Sequence, residues 1–389
     1  MRYSVKDLKV LHLAPDEKFI DRGVDNFNRC GCESTLYVFS KSSELKFVKE
    51  NDPKVFNLEK LDKKQLCKEM ESFDIIILHS LFYRKFVFPD NVVIVWIGFG
   101  FDYYNLIHND EKYLLTPKSI DYLNNLHGGL HSRLIQKPKK ILKYIKNKLK
   151  DIIIYNDIVR TLERVNYFAP VLVDEYELVK NSVLNFNPDL IDWSYGSLSD
   201  SLEKGLKDKK IIGNDILLGN SATLTNNHLD VVDVLKLSKD NSSKVITPLN
   251  YGDSVYKQYL IDELSRAFSQ DSIVIDKFMP LEEYVDILAR CSTVVMNHKR
   301  QQALGNISVS LYLGAKVFMN PVSPAYKYYK RNGIYIFSVD EINRQNLNYK
   351  LSTEEINFNR FKILELNSKA VIDRKTNNLL EVCVSKVKV

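Results

Sequence analysis

Short, unbroken apolar runs recur along most of the chain, each followed by a helical stretch, and no other feature limits the possible folds so tightly. LKVLHLA (8–14), STLYVFS (34–40), FDIIILHS (73–80), NVVIVWIG (91–98) and VNYFAPV (165–171) form a first series. IIGNDILLGN (211–220), SKVITPL (243–249), DSIVIDKF (271–278), STVVMN (292–297), AKVFMN (315–320) and GIYIFS (333–338) form a second. Several are Val/Ile runs without polar alternation, as in strands buried on both faces of a parallel sheet. Helices are expected near 17–29, 63–71, 172–181, 226–238, 253–268, 281–289 and 305–314. Alternating βα units predict an α/β chain with doubly wound sheets. The series pauses over the polar, turn-rich 182–209 and restarts at Ile211. The expected organisation is a Rossmann-like domain at 1–205, a second at 206–345, and a helical tail at 346–389 packing back on the first.

A chain of 389 residues can bury two cores. Its 45% hydrophobic and 27% charged residues are those of a globular protein, which sets aside disordered and fibrous classes. The opening MRYSVKDLKVLHLAP reads as a first strand, not a signal peptide, and no run is long enough to span a bilayer. Five scattered cysteines fit reduced thiols in a cytoplasmic protein, and Cys30-x-Cys32 lacks partners for a zinc site. The net charge of +6 leans toward an anionic partner.

Ligands of doubly wound sheets collect beyond the carboxyl ends of the strands. In the second half those positions share one character. ILLGNSATLTNNH ends a strand with Gly219, Asn220 and Ser221, giving a tight turn and neutral donors. VITPLNYGD presents Asn250 and Tyr251, and VIDKFMP places Phe278 after its strand, either as a slot for a flat base or as core. NHKRQQALGNISVSLYLGA has no acid: Lys299, Arg300, Gln301 and Gln302 precede a helix with Gly305 and Asn306 in its first turn. Free N–H groups, the positive dipole end and two cations suit a diphosphate. The chain has no Asp-x-Asp and no G-x-G-x-x-G after its first strand, against a metal-dependent nucleotide-sugar site or a nicotinamide dehydrogenase. No metal or cofactor is expected.

In the first half, VWIGFGFDYYN sets Asp102 among aromatics after a strand. A desolvated carboxyl there has a raised pKa and suits a general base for a sugar hydroxyl; capping of the next helix is the alternative. His79 ends IIILHS at the same edge and is the second catalytic candidate, and Asp16 and Lys18 follow the first strand. The segment QKPKKILKYIKNKLK (136–150) interleaves seven lysines with Ile141, Leu142, Ile145 and Leu149. It reads as a helix able to lie on an anionic membrane surface through Lys139, Lys140, Lys143, Lys146 and Lys150, or as a solvated amphipathic helix. It lacks the arginine and aromatic interleaving expected for nucleic acid.

WIGFGFDYY (96–104), ILLGNSATLTNNH (216–228), VITPLNYGD (245–253) and the stretch from LEEYVDIL to AKVFMN (281–320) resemble the TDP-Fuc4NAc:lipid II Fuc4NAc transferases, glycosyltransferase family 56. Trp96, Gly100, Asp102 and Tyr104 match its W-x-x-x-G-x-D-x-Y pattern. Gly219, Asn220, Ser221, Asn226 or Asn227, and His228 match its G-N-S loop and N-x-H helix start. Arg300, Gln301, Gln302 and Gly305 meet its R-Q-Q-x-x-G motif, while the tail and the longer lysine segment depart from the family. The resemblance implies a GT-B fold, two Rossmann-like domains facing a cleft with the donor nucleotide in the second. It also implies a dTDP-sugar donor and an undecaprenyl-diphosphate-linked saccharide acceptor at the inner face of the bacterial inner membrane. A UDP-sugar enzyme and a non-catalytic membrane-surface module are the rival expectations.

Overall fold

A computed structural model describes residues 5–81, 86–107, 111–134, 155–196, 198, 206, 208–240 and 242–387. The chain forms two compact units. Unit 1 is drawn from 1–109, 138–196 and 369–389, and unit 2 from 110–137 and 197–368.

The sheet of unit 1 contains β1 (Lys9–Pro15), β2 (Glu33–Ser40), β3 (Lys54–Asn57), β4 (Ile75–His79), β5 (Val93–Ile97), β6 (Tyr167–Ala169) and β7 (Asp189–Leu190). Their order is β3-β2-β1-β4-β5-β6-β7, every pair parallel. The apolar runs fall where they must: β4 and β5 are buried along their whole length. β3 and β7 lie at the sheet's two edges, where exposure removes the apolar signal. The C-terminal helix Lys369–Lys386 puts Leu379, Leu380 and Cys383 into the core of this unit. Asp373 on that helix pairs with Arg29 at 2.6 Å, and Thr376 accepts the Trp193 indole N–H at 2.9 Å.

The sheet of unit 2 contains β8 (Asp215–Leu218), β9 (Val245–Pro248), β10 (Ser272–Ile275), β11 (Cys291–Met296), β12 (Lys316–Met319) and β13 (Phe337–Ser338). Its order is β10-β9-β8-β11-β12-β13, again all parallel. The helix Leu304–Leu313 is buried from Ile307 to Leu313, as its apolar circumference demands. It stops at Gly314, whose φ of 100° is the left-handed cap that glycine supplies. In each unit the strand order reverses beside the first strand, between β1 and β4 and between β8 and β11. Those two switch points are where a doubly wound sheet holds its ligand.

Candidate functional site: the carboxyl ends of the strands

At the unit 2 switch point, the loop after β8 is stitched to the loop after β11 by side-chain amides. Asn220 N–H donates to Asn226 Oδ1 at 2.9 Å. The same Asn226 oxygen meets His298 Nε2 at 2.9 Å, and Asn220 Oδ1 meets it at 3.1 Å. Both are amide oxygens, so Nε2 carries the proton. Burial, then the charge of Arg300, hold His298 well below the ordinary imidazole pKa, so the ring is neutral. Gln302 Nε2 donates to Asn220 Oδ1 at 3.1 Å, and Asn220 Nδ2 donates to the Tyr251 hydroxyl at 2.7 Å. Three strand ends, β8, β9 and β11, are thereby joined.

Gly219 is required here twice. Its φ is 67°, and a Cβ would stand 2.3 Å from His228 Nε2 and 2.8 Å from Asn226 Oδ1. A second layer lies behind: Asn297 Nδ2 donates to Asn227 O at 3.1 Å, and Asn320 Nδ2 donates to Asn297 Oδ1 at 2.8 Å.

The helix Leu304–Leu313 starts from Ala303, held at φ 60°, and no side chain caps it. Its first internal bond is Ile307 N–H to Ala303 O, so the N–H groups of Leu304, Gly305 and Asn306 precede the helical ladder. A Cβ at Gly305 would meet nothing within 4 Å. The turn opens onto space that a ligand can occupy.

Arg300 is half-buried and donates to Gln301 O at 3.2 Å. Its charge acts on both His298 and the Tyr251 hydroxyl, which places it over this edge. Lys299 is used differently. Its ammonium donates to Leu115 O at 2.9 Å and to Tyr113 O at 3.4 Å, fastening a segment of the same unit. Asn306 donates to the Tyr284 hydroxyl at 3.2 Å, Asn250 is half-buried, and Ser221 and Gln301 are buried. Phe278 is 75% exposed, which removes the core alternative.

At the unit 1 switch point Asp102 is buried in the first turn of the helix Phe101–Ile107. Its Oδ1 accepts Phe99 N–H at 2.9 Å; Oδ2 accepts Leu81 N–H at 3.1 Å and the Trp96 indole N–H at 3.0 Å. Burial raises its carboxyl above the ordinary range, and these donors only partly offset that. His79 is fully buried. Nε2 meets His12 Nδ1 at 2.9 Å, and Nδ1 is bonded to the Tyr195 hydroxyl. Burial, then the neighbouring His12, depress its pKa well below the usual value, and burial takes His12 down to about 3.

Asp16 accepts the N–H groups of Lys46, Phe47 and Val48 at 2.6, 2.9 and 2.9 Å, tying a long loop to the strand end. Lys18 is exposed, its ammonium 5.6 Å from the Phe47 ring centre. Beside it Glu17 has its carboxyl raised, chiefly by burial.

No sequence motif singles out His12, Tyr195 or His298. His12 lies inside an apolar run, Tyr195 in the turn-rich interval, and His298 beside two conspicuous cations. The one available signal was a polar side chain within or just beyond a predicted buried strand. Lys139, Lys140, Lys143, Lys146 and Lys150 lie outside the described residues.

Two all-parallel Rossmann-like units with a donor-rich, cationic strand edge in the second define the class: the chain is a glycosyltransferase of GT-B fold. More narrowly, residues 196–362 match the family model described as 4-alpha-L-fucosyltransferase, glycosyl transferase group 56, the family that the motifs of the second half resemble. Solved structures share the fold at low identity. A glycosyltransferase from Rickettsia africae matches with TM-score 0.61 and 12% identity over 97% of this chain and 99% of that one. HepE from Anabaena, solved with UDP and glucose, gives 0.59 and 8% over 96% and 100%. A sucrose-phosphate synthase from Thermosynechococcus elongatus gives 0.61 and 7% over 97% and 100%.

Proposed function

We propose that the protein moves an amino-dideoxyhexose of the Fuc4NAc type from a dTDP-activated donor to a lipid-linked saccharide in bacterial surface polysaccharide synthesis. One observation carries the reading of the donor side: an uncapped helix start opens onto empty space at Gly305, beside Arg300 and the Asn220–Tyr251 edge. On this reading the N–H groups of 304–306 and the Arg300 guanidinium take up charge as the nucleoside diphosphate leaves. Asn220, Ser221, Tyr251, Gln301 and Gln302 orient it, and the exposed ring of Phe278 is offered to the base.

Asp102 is the proposed base for the acceptor hydroxyl, its raised carboxyl being closer to the range such chemistry needs. His79 serves beside it as a positioning group. The acceptor belongs, in this proposal, at an anionic lipid surface reached through the lysines of 136–150, and thus at the cytoplasmic face of the inner membrane. Among the described residues no helix is long and apolar enough to cross a membrane.

A UDP-sugar is the second reading, because HepE shares the fold and was solved with UDP. Melting curves decide between them. A nucleotide at about a hundred times its Kd adds about 2.7 kcal/mol of stability. We expect dTDP to raise the melting temperature by several degrees at concentrations where UDP does little. UDP acting more strongly than dTDP would reassign the donor.

A further inference from the structure

The carboxyl edge of the unit 1 sheet carries a feature that the donor chemistry does not use. Aromatic rings from three separate loops meet there. Phe19 follows β1, Phe99 and Phe101 follow β5, and Tyr195 follows β7. Phe19 and Tyr195 have ring centres 6.2 Å apart, Tyr195 and Phe99 5.3 Å, and Phe99 and Phe101 6.0 Å. Phe19 and Phe101, at the two ends, are 49% and 48% exposed. Between them Tyr195 and Phe99 are partly buried and packed against the core, so the run is anchored in its middle and open at both ends.

The surface is held from beneath by buried polar groups. Tyr195 Oη is bonded to His79 Nδ1, and His79 Nε2 to His12 Nδ1. Trp193, fully buried, packs edge-on to Tyr195 at 4.9 Å. Gly23 sits in the helix Ile20–Arg29, where glycine costs up to about 1 kcal/mol relative to alanine. A Cβ there would stand 2.8 Å from Tyr195 Cε1 and 3.2 Å from His79 Cε1. The missing side chain makes room for the tyrosine ring. Asp102 fixes Phe99 through its N–H. Ser80, directly after His79, is held at φ 65°, and its buried hydroxyl has no partner among the described residues; such strain collects at binding sites.

The chemistry of this edge selects its occupant. The acids Asp16, Glu17 and Asp102 outnumber the exposed Lys18, and both histidines are neutral, a poor setting for a diphosphate. A pyranose ring is uncharged and turns a face of polarised C–H bonds outward, which the negative face of an aromatic ring attracts. We propose that Phe19, Tyr195, Phe99 and Phe101 form a platform for a pyranose ring of the acceptor saccharide, with His79 and His12 as positioning residues that lock Tyr195 into it.

This rests on the glycosyl-transfer reading, but its test does not need the true acceptor. The probe is cellobiose, with sorbitol, an open-chain polyol, as control, read by saturation-transfer NMR on the full chain. In the wild type the ring protons of cellobiose take up saturation and sorbitol does not. Phe19→Ala with Phe101→Ala cuts the cellobiose signal to less than half, and the dTDP-induced melting shift stays as it was. His79→Ala, which leaves Tyr195 in the chain but unlocks it, also lowers the signal, and His79→Gln restores part of it. No cellobiose signal in the wild type overturns the platform, as does equal signal in the double variant. A signal untouched by His79→Ala overturns the positioning role. Loss of the dTDP shift in the wild type with the cellobiose pattern intact would instead sink the donor assignment and leave the platform standing.

Discussion

β4 in unit 1 ends at His79; β11, which takes the same place in unit 2, is followed two residues on by His298. Both rings are buried and neutral at the switch point of a parallel sheet with the same strand order. Their neighbours differ. His298 is held by the amide oxygens of Asn220 and Asn226 under the charge of Arg300. His79 is held by His12 and Tyr195 beneath a run of phenylalanines, with carboxylates at the same edge. The comparison teaches that strand order fixes where a ligand goes, while the loop residues decide its kind: on the proposed reading, an anion over unit 2 and an uncharged ring over unit 1.

The largest effect that could break this contrast lies at Arg300. Arg300→Ala should lower turnover by about 10²–10³-fold, the usual loss when one donor to a developing anion is removed. It should also abolish the dTDP melting shift. Lys299→Met separates charge from role. Its ammonium already serves Leu115 O and Tyr113 O, so the variant should lose about 1–2 kcal/mol of stability, with a far smaller loss of turnover. Equal kinetic losses for the two variants would erase the distinction between ligand and fastener.

Acid should act on both units alike. His12 and His228 are each pushed down to about 3, and His79 and His298 lie well below the ordinary value. The unfolded chain therefore binds protons that the folded one refuses. Stability is fully present above about pH 6.5 and is lost as the pH falls from there toward 3. Between pH 6.5 and 5 the loss is about 1.6 kcal/mol for each of His12 and His228, measurable by urea unfolding. A flat profile over that window would show the rings to be solvated and the two switch points to be open.

The smallest effects distinguish two glycines of unit 2. Gly219→Ala forces a side chain into a left-handed position and against His228, and should cost about 2 kcal/mol or more. Gly305→Ala meets no protein atom, so stability should be unchanged or about 0.5 kcal/mol higher. The added methyl should still weaken dTDP by about tenfold, or 1.4 kcal/mol, because it enters the space proposed for the phosphate. Calorimetric titration of both variants reads the difference.

The parallel strands and the basic turn were legible in the residues because each is a local pattern. Val/Ile runs announced β4, β5 and β11, a mixed apolar run announced β12, and an acid-free string announced the helix start at 304. β3 and β7 escaped because edge strands need not be apolar. The His12–His79–Tyr195 bracket escaped for another reason: its members are 67 and 116 residues apart and meet only once the sheet has formed. No local rule, likewise, reveals the two carbonyls that arrive at Lys299 from residues 113 and 115. The family match has a related limit, since it runs over 196–362 and leaves the edge of unit 1 to be read from geometry alone.

A crystal structure of the full chain with dTDP bound tests the central claim most directly. The account predicts diphosphate oxygens within hydrogen-bond distance of the N–H groups of 304–306 and of the Arg300 guanidinium. Nucleotide density against Phe19 and Tyr195, with the Gly305 turn empty, would contradict it.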